Sequence, residues 1–180
     1  MFYFIVTSLL KLYFLLFYRL KISGLENIPH GGVVIAANHT SFYDPAIIGA
    51  AFPGQVYYLA KKDLFHGVFG KLIYALGAYP VGTDAIKTAT HLLKDGYKIV
   101  IFPEGKRSPT GKLLPLKAGF KLLSSKTESP ILPVFIEGAY EVFPRDKKWP
   151  KLFGRINVTI REPISPSDPD FLKKLTQALS

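Results

Sequence analysis

The residues able to do chemistry in this chain of 180 residues fall in two short blocks. The first is Asn38-His39-Thr40-Ser41-Phe42-Tyr43-Asp44-Pro45. His39 and Asp44 are five positions apart, so a strand-to-helix turn can fold the carboxylate back onto the imidazole. A histidine held by a carboxylate is a general base: the acid fixes the tautomer and stabilises the imidazolium that forms. The same spacing fits a histidine that satisfies a turn and an aspartate that caps the next helix. The second block is Phe102-Pro103-Glu104-Gly105-Lys106-Arg107-Ser108. Gly105 permits a tight turn there. Arg107 suits bidentate phosphate contacts, and Lys106 acts as a point charge. From Lys106 to Lys126 there are six basic residues and no acidic one, which makes a candidate anion site. The alternative is a solvated basic loop with Glu104 in a local ion pair.

Both blocks need elements to position them. Short apolar runs predict buried strands at 33–37, 56–60, 78–81, 99–102, 131–136 and 156–160. Pro133 places the fifth near a sheet edge. Helical patterns cover 45–51, 63–76, 84–95, 116–125 and 167–179. Gly96 closes the third of these at the C′ position, and Ser167 opens the last. Strands separated by helices predict an α/β fold with a mostly parallel central sheet of six or seven strands. Each chemical block begins where a strand ends, and ligands of α/β sheets bind at the carboxyl ends of strands. The segment 141–155 is the longest irregular stretch, with a basic and aromatic edge.

Composition narrows the partners. The formal charge is +10 and 48% of residues are hydrophobic, which is too apolar for a disordered chain. The absence of cysteine excludes disulfides, a thiolate nucleophile and Cys-ligated metal sites. No P-loop, GxGxxG or GxSxG motif occurs, and His30, His66 and His91 have no partner at ligand spacing, so no metal site is expected. The apolar excess is concentrated in residues 1–18, of which 15 are hydrophobic. A helix of that length spans about 27 Å, marginal for a bilayer, and Lys11 near its middle costs about 2.5–3.5 kcal/mol at the centre of one. Tyr3, Thr7, Lys11 and Tyr18 share one side of a helical wheel, which predicts a helix lying in the membrane interface; an internal core helix is the alternative. Arg19 and Lys21 favour the cytoplasmic face. The expected organisation is a membrane-anchoring segment over 1–21 and one α/β domain over 22–180. An anionic membrane surface is then the expected partner, and nucleic acid is not.

Taken together, the blocks resemble the glycerolipid acyltransferase superfamily, and within it the bacterial 1-acyl-sn-glycerol-3-phosphate acyltransferases. Residues 38–44 (NHTSFYD) match the NHxSxxD block, and 101–108 (IFPEGKRS) the FPEGTRS block. Residues 131–138 (ILPVFIEG) match the apolar, proline-containing block. Residues 60–64 (AKKDL) with 77–81 (GAYPV) are similar to the remaining one, and 24–29 (GLENIP) to its lead-in. The resemblance implies an acyltransferase acting on the cytoplasmic face of the inner membrane. It would move a fatty acyl group from acyl-CoA or acyl-carrier protein to the sn-2 hydroxyl of 1-acyl-sn-glycerol 3-phosphate, making phosphatidic acid, with no further cofactor. His39 would be the base and Asp44 its orienting partner, while Glu104, Gly105, Lys106, Arg107 and Lys61 would hold the glycerol phosphate. Acylation of another lysolipid or of glycerol 3-phosphate is the alternative within the class; a non-catalytic basic lipid-binding protein is the alternative outside it. Two residues depart from the pattern: Lys106 stands where Thr or Ser is usual, and Thr83 where many members carry Arg.

Overall fold

The computed structural model describes residues 1–80, 82, 85–117 and 119–180. Thr83 lies outside the described residues, as do Val81 at the end of the third expected strand and Asp84 at the start of the third expected helix. Seven strands form one sheet: β1 (Lys21–Ser23), β2 (Val33–Ala37), β3 (Val56–Ala60), β4 (Ala78–Pro80), β5 (Lys98–Ile101), β6 (Ile131–Glu137) and β7 (Asn157–Ile160). Their spatial order is β1-β7-β6-β2-β5-β3-β4. Every pairing is parallel except β6 with β7, so the sheet is mixed and mostly parallel, as expected. Short β1, with its exposed Lys21 and Ser23, is the strand that sequence patterning did not register.

The helices are α1 (Phe2–Tyr18), α2 (Asp44–Ala51), α3 (Gly67–Ala75), α4 (Ala85–Lys94), α5 (Gly119–Thr127), α6 (Ala139–Val142) and α7 (Phe171–Ala178). Alternation along β2 explains how they cover both faces. Val33, Ile35 and Ala37 pack into one core with Phe14 and Tyr18 of α1 and Ile47 and Ile48 of α2. Val34 and Ala36 enter the opposite core with Ala89, Leu93, Leu123, Phe171 and Leu175. All five residues of β2 are buried, as a central parallel strand requires. Burying one such side chain contributes about 1.5–3 kcal/mol.

Four details differ from the sequence expectation. Pro133 sits inside the sheet, because β6 lies between β2 and β7. Its ring is tolerated because the N–H it lacks would face Arg161, one residue past the end of β7, where only the Arg161 N–H to Pro133 carbonyl bond is made. The expected helix over 63–76 divides into a 3-10 turn, Lys62–Leu64, and α3. The C-terminal helix starts at Phe171 instead of Ser167, since Asp168 precedes Pro169 and is pushed away from helical geometry. In α1, the tyrosine side faces the protein and not water. Tyr3, Phe14 and Tyr18 are buried, while Lys11 stands outside with Phe4, Ile5, Leu9, Leu12 and Leu16. The tyrosine hydroxyls find partners inward: Tyr3 Oη accepts the Val56 N–H (3.1 Å), and Tyr18 Oη donates to the Lys151 carbonyl (2.8 Å). Gly96 does end α4 with φ of 85°: its N–H reaches Leu93 and the Tyr97 N–H reaches Leu92, a Schellman closure. Among the described residues no helix is long and apolar enough to cross a membrane.

Candidate active site

Because β2, β5 and β3 are adjacent and parallel, the residues that follow them share one sheet edge. His39 follows β2, the 102–108 block follows β5 and Lys61 follows β3. The carboxyl end of β2 is fastened by Asn38, whose side chain extends the ladder: Nδ2 donates to the Ile136 carbonyl (2.9 Å) and Oδ1 accepts the Ile136 N–H (2.7 Å).

The turn after Asn38 brings the expected pair together. His39 Nδ1 lies 2.8 Å from Asp44 Oδ2. That same oxygen accepts the backbone N–H groups of Thr40 (2.7 Å) and Ser41 (2.8 Å), whereas buried Oδ1 has no hydrogen-bond partner among the described residues. Asp44 is fully buried and opens α2, with Pro45 next to it. With a carboxylate oxygen on Nδ1, the neutral ring carries its proton there and leaves Nε2 free to accept another. The imidazole is stacked on Phe102, with ring centres 4.0 Å apart, and its side chain keeps 18% exposure. The imidazole is thus fixed by a hydrogen bond on one side and by an aromatic plate on its face.

The second block supports the first. Glu104 is buried, and both of its oxygens are committed to backbone donors: Oε1 to His39 N–H (2.6 Å) and Oε2 to Leu114 N–H (2.8 Å). Burial raises its pKa, against the lowering effect of the two donors. This corrects one expectation. Among the described residues Glu104 makes no local ion pair, and with both oxygens on backbone donors its place at the site is that of a clamp between the histidine backbone and the loop after β5. Ser108 adds to the clamp, its N–H donating to the His39 carbonyl (2.7 Å). Gly105 has φ of 70°, a backbone conformation that side chains disfavour, whereas a Cβ there would meet only the flexible end of Lys117. The bonds from Leu114 and Lys117 back to the loop also explain why the helix expected from residue 116 starts at Gly119.

Arg107 lies with its guanidinium carbon 3.4 Å above the centre of the Phe42 ring. Its Nη1 is buried without a hydrogen-bond partner among the described residues. Its pKa is lowered by burial and by the charge of Arg145, with Asp44 acting in the opposite sense. Phe42 in turn packs on Phe143 (4.9 Å between centres), and the Phe42 N–H and Ser41 Oγ both donate to the Phe143 carbonyl (3.3 and 2.8 Å). Arg145, two residues on, is therefore brought to the mouth of the site. Sequence reasoning did not single it out, nor Phe42, Phe102 and Ser108 as supports. Lys61 and Lys106 are exposed at the same edge, with no side-chain bond among the described residues. Among the described residues no group of three His, Asp or Glu residues could hold a metal ion.

These features define an α/β protein with a carboxylate-oriented histidine at the carboxyl edge of its sheet, beside an arginine-lined mouth. The chain belongs to the Acyltransferase family, whose model matches residues 19–137. It is 32% identical over 174 residues to the 1-acyl-sn-glycerol-3-phosphate acyltransferase of Bacillus subtilis (strain 168), covering 89% of this chain and 84% of the relative. It is 32% identical over 167 residues to the chloroplastic 1-acyl-sn-glycerol-3-phosphate acyltransferase BAT2 of Brassica napus, covering 87% and 48% respectively. The chain thus spans about half the length of that plant relative. The crystal structure of the 1-acyl-sn-glycerophosphate (LPA) acyltransferase PlsC from Thermotoga maritima matches with a TM-score of 0.78 and 29% identity, over 95% of this chain and 75% of that one.

Proposed function

We propose that this chain transfers a fatty acyl group from an acyl thioester to the sn-2 hydroxyl of 1-acyl-sn-glycerol 3-phosphate, making phosphatidic acid for phospholipid biosynthesis. The observation that carries the reading is the His39–Asp44 contact at 2.8 Å, which leaves Nε2 free at the carboxyl edge of the sheet. The names of the Bacillus and Brassica relatives support the acceptor.

An alcohol does not ionise at neutral pH, so it needs an aligned base, and such a base contributes typically 10²–10⁴-fold. His39 Nε2 takes the hydroxyl proton as the acceptor oxygen bonds to the thioester carbonyl carbon. Asp44 stabilises the imidazolium through Nδ1–H. The tetrahedral intermediate then collapses with cleavage of the C–S bond, and the imidazolium returns its proton to the departing thiolate. The products are an ester and a free thiol, coenzyme A or acyl-carrier protein, which enters as donor substrate and not as cofactor. The acceptor supplies the nucleophile, so a chain without cysteine suffices. Arg107 with its free Nη1, Arg145, and the exposed Lys61 and Lys106 hold the acceptor phosphate. The outer apolar face of α1 rests on the cytoplasmic face of the inner membrane and keeps the site near its lipid.

The test is thiol and phosphatidate release with lysophosphatidate, other lysolipids and glycerol 3-phosphate as acceptors, and both thioesters as donors. His39→Ala is expected to lose at least about 10²-fold in turnover with its fold retained. Near-wild-type turnover in that variant removes His39 as the base, and preference for another acceptor reassigns the substrate.

A further inference from the structure

The loop between α6 and β7 lends Phe143 and Arg145 to the site, but its stretch from Asp146 to Phe153 has no part in the chemistry above and carries the most exposed aromatic residue among those described. Trp149 is 83% exposed, and Leu152 and Phe153 are each 66% exposed. Three large apolar side chains in water within five residues are a surface that monomeric soluble proteins rarely leave uncovered. Their neighbours are cationic: residues 145–155 contain Arg145, Lys147, Lys148, Lys151 and Arg155 against the single acid Asp146.

The loop is tied to α1. Phe153 stacks on Phe17 with ring centres 5.9 Å apart and planes at 20°. The Gly154 N–H donates to the Phe17 carbonyl (3.2 Å), and Tyr18 Oη donates to the Lys151 carbonyl. Leu15 and Leu16, which precede Phe17 at the C-terminal end of α1, are exposed as well. At its other end, Pro144 bridges to Ser41 in the His39–Asp44 turn. The loop thus runs from the C-terminal end of α1 to the turn that carries His39.

We propose that the 146–153 loop is a second membrane-insertion element, in which Trp149, Leu152 and Phe153 enter the interface of an anionic bilayer while Lys147, Lys148 and Lys151 pair with lipid headgroups. Apolar tips flanked by lysines match the chemistry of that surface, with rings at headgroup depth and ammonium groups in the negative potential. An acidic protein such as an acyl-carrier protein would match the lysines but not demand the protruding tryptophan and leucine. The loop extends the membrane-facing reading of α1 and does not depend on acyl transfer.

Trp149 is the only tryptophan in the chain, so its fluorescence reports on this loop alone. The full chain is titrated with vesicles of phosphatidylcholine, with or without phosphatidylglycerol, and with vesicles whose acyl chains carry bromine. Binding is followed in parallel by sedimentation, and acyl transfer is assayed separately on detergent-dispersed acceptor. The expected result is a blue-shifted emission quenched by the brominated lipid, stronger with phosphatidylglycerol. Replacing Lys147, Lys148 and Lys151 together by Gln, all exposed, should weaken binding to the anionic vesicles by at least about tenfold. Sedimentation with unchanged, unquenched emission overturns the inference and leaves α1 as the contact. Failure to sediment removes the membrane role of both elements, while the detergent assay still decides acyl transfer. A response to acyl-carrier protein without one to vesicles reassigns the loop to that partner.

Discussion

Asp44→Asn discriminates between two ways in which a carboxylate can serve a histidine. Three donors converge on one oxygen, Oδ2: His39 Nδ1, Thr40 N–H and Ser41 N–H, at 2.8, 2.7 and 2.8 Å. In the Asn variant the two backbone donors require an acceptor, so the amide oxygen takes that position and the amide NH₂ takes that of Oδ1. His39 then keeps a proton acceptor at Nδ1, and its tautomer is unchanged. What disappears is the negative charge that stabilises the imidazolium. A hydrogen bond to a charged group contributes about 1.5–3 kcal/mol, so turnover should fall roughly 10- to 150-fold. Were the amide nitrogen to face the ring, the tautomer would reverse and the loss would be on the order of 10⁴-fold, as in serine-protease triads. The NH₂ placed at Oδ1 is buried without a partner and should cost about 1–3 kcal/mol in unfolding free energy. Free thiol trapped by a chromogenic disulfide reads turnover without background, because the chain has no cysteine. Urea unfolding reads stability. A loss near 10⁴-fold in a folded variant refutes the single-oxygen arrangement; a loss below about threefold refutes the role of the charge.

Three other outcomes follow from the same geometry. Arg107→Ala should raise the acceptor KM by roughly 10- to 100-fold with a smaller change in kcat, and Arg145→Gln should do the same more weakly; a fall in kcat alone would take either residue away from the phosphate. Glu104 has its pKa raised by burial, so the folded state holds its proton more tightly than the unfolded chain does. Its contribution to stability is therefore greatest below the ordinary value of 4.5 and declines as pH rises through the raised folded value. Glu104→Gln should flatten that part of the pH–stability curve while losing about 1–3 kcal/mol at neutral pH, since an amide nitrogen must face the N–H of His39 or Leu114; urea titrations across acidic to neutral pH measure both effects. Tyr13 Oη lies 2.9 Å from Tyr43 Oη and 3.1 Å from Tyr18 Oη. Tyr43→Phe should cost about 0.5–1.5 kcal/mol in thermal or urea unfolding, with turnover nearly unchanged. Burial and Tyr13 push the Tyr18 hydroxyl up to about 12 from 10.0, so its contribution is intact at neutral pH and is lost as pH rises from 10.0 through about 12.

Much of this molecule is legible from local chemistry. The strands at 33–37 and 56–60 are readable to the residue because unbroken apolar runs have few other uses in a sheet covered on both faces. The motif blocks meet in space out of chain order, since β5 lies between β2 and β3 and all three end at one edge. Pro133 misleads because a missing donor is harmful only where a partner acceptor stands opposite, and that depends on where β7 stops. The side of α1 that faces inward misleads for a related reason. Polarity on a wheel suggests solvent, but Tyr3, Tyr13 and Tyr18 meet partners supplied by residues 43, 56 and 151.

The limits at the site have the same origin in distance along the chain. Glu104 resembles a surface acid beside two cations until its oxygens are found on the backbones of His39 and Leu114. Within one block Gly105 and Lys106 are exposed while Glu104 and Ser108 turn inward as a clamp and Arg107 lies on Phe42. Arg145 has no motif at all. It arrives because Phe143 and Pro144 are bonded to the turn that carries His39, an arrangement that no pattern within 141–155 encodes. Arg145 is a cation that no motif block contains. The motif therefore specifies the His39–Asp44 pair locally, whereas the second arginine at the mouth of the site is placed by the fold.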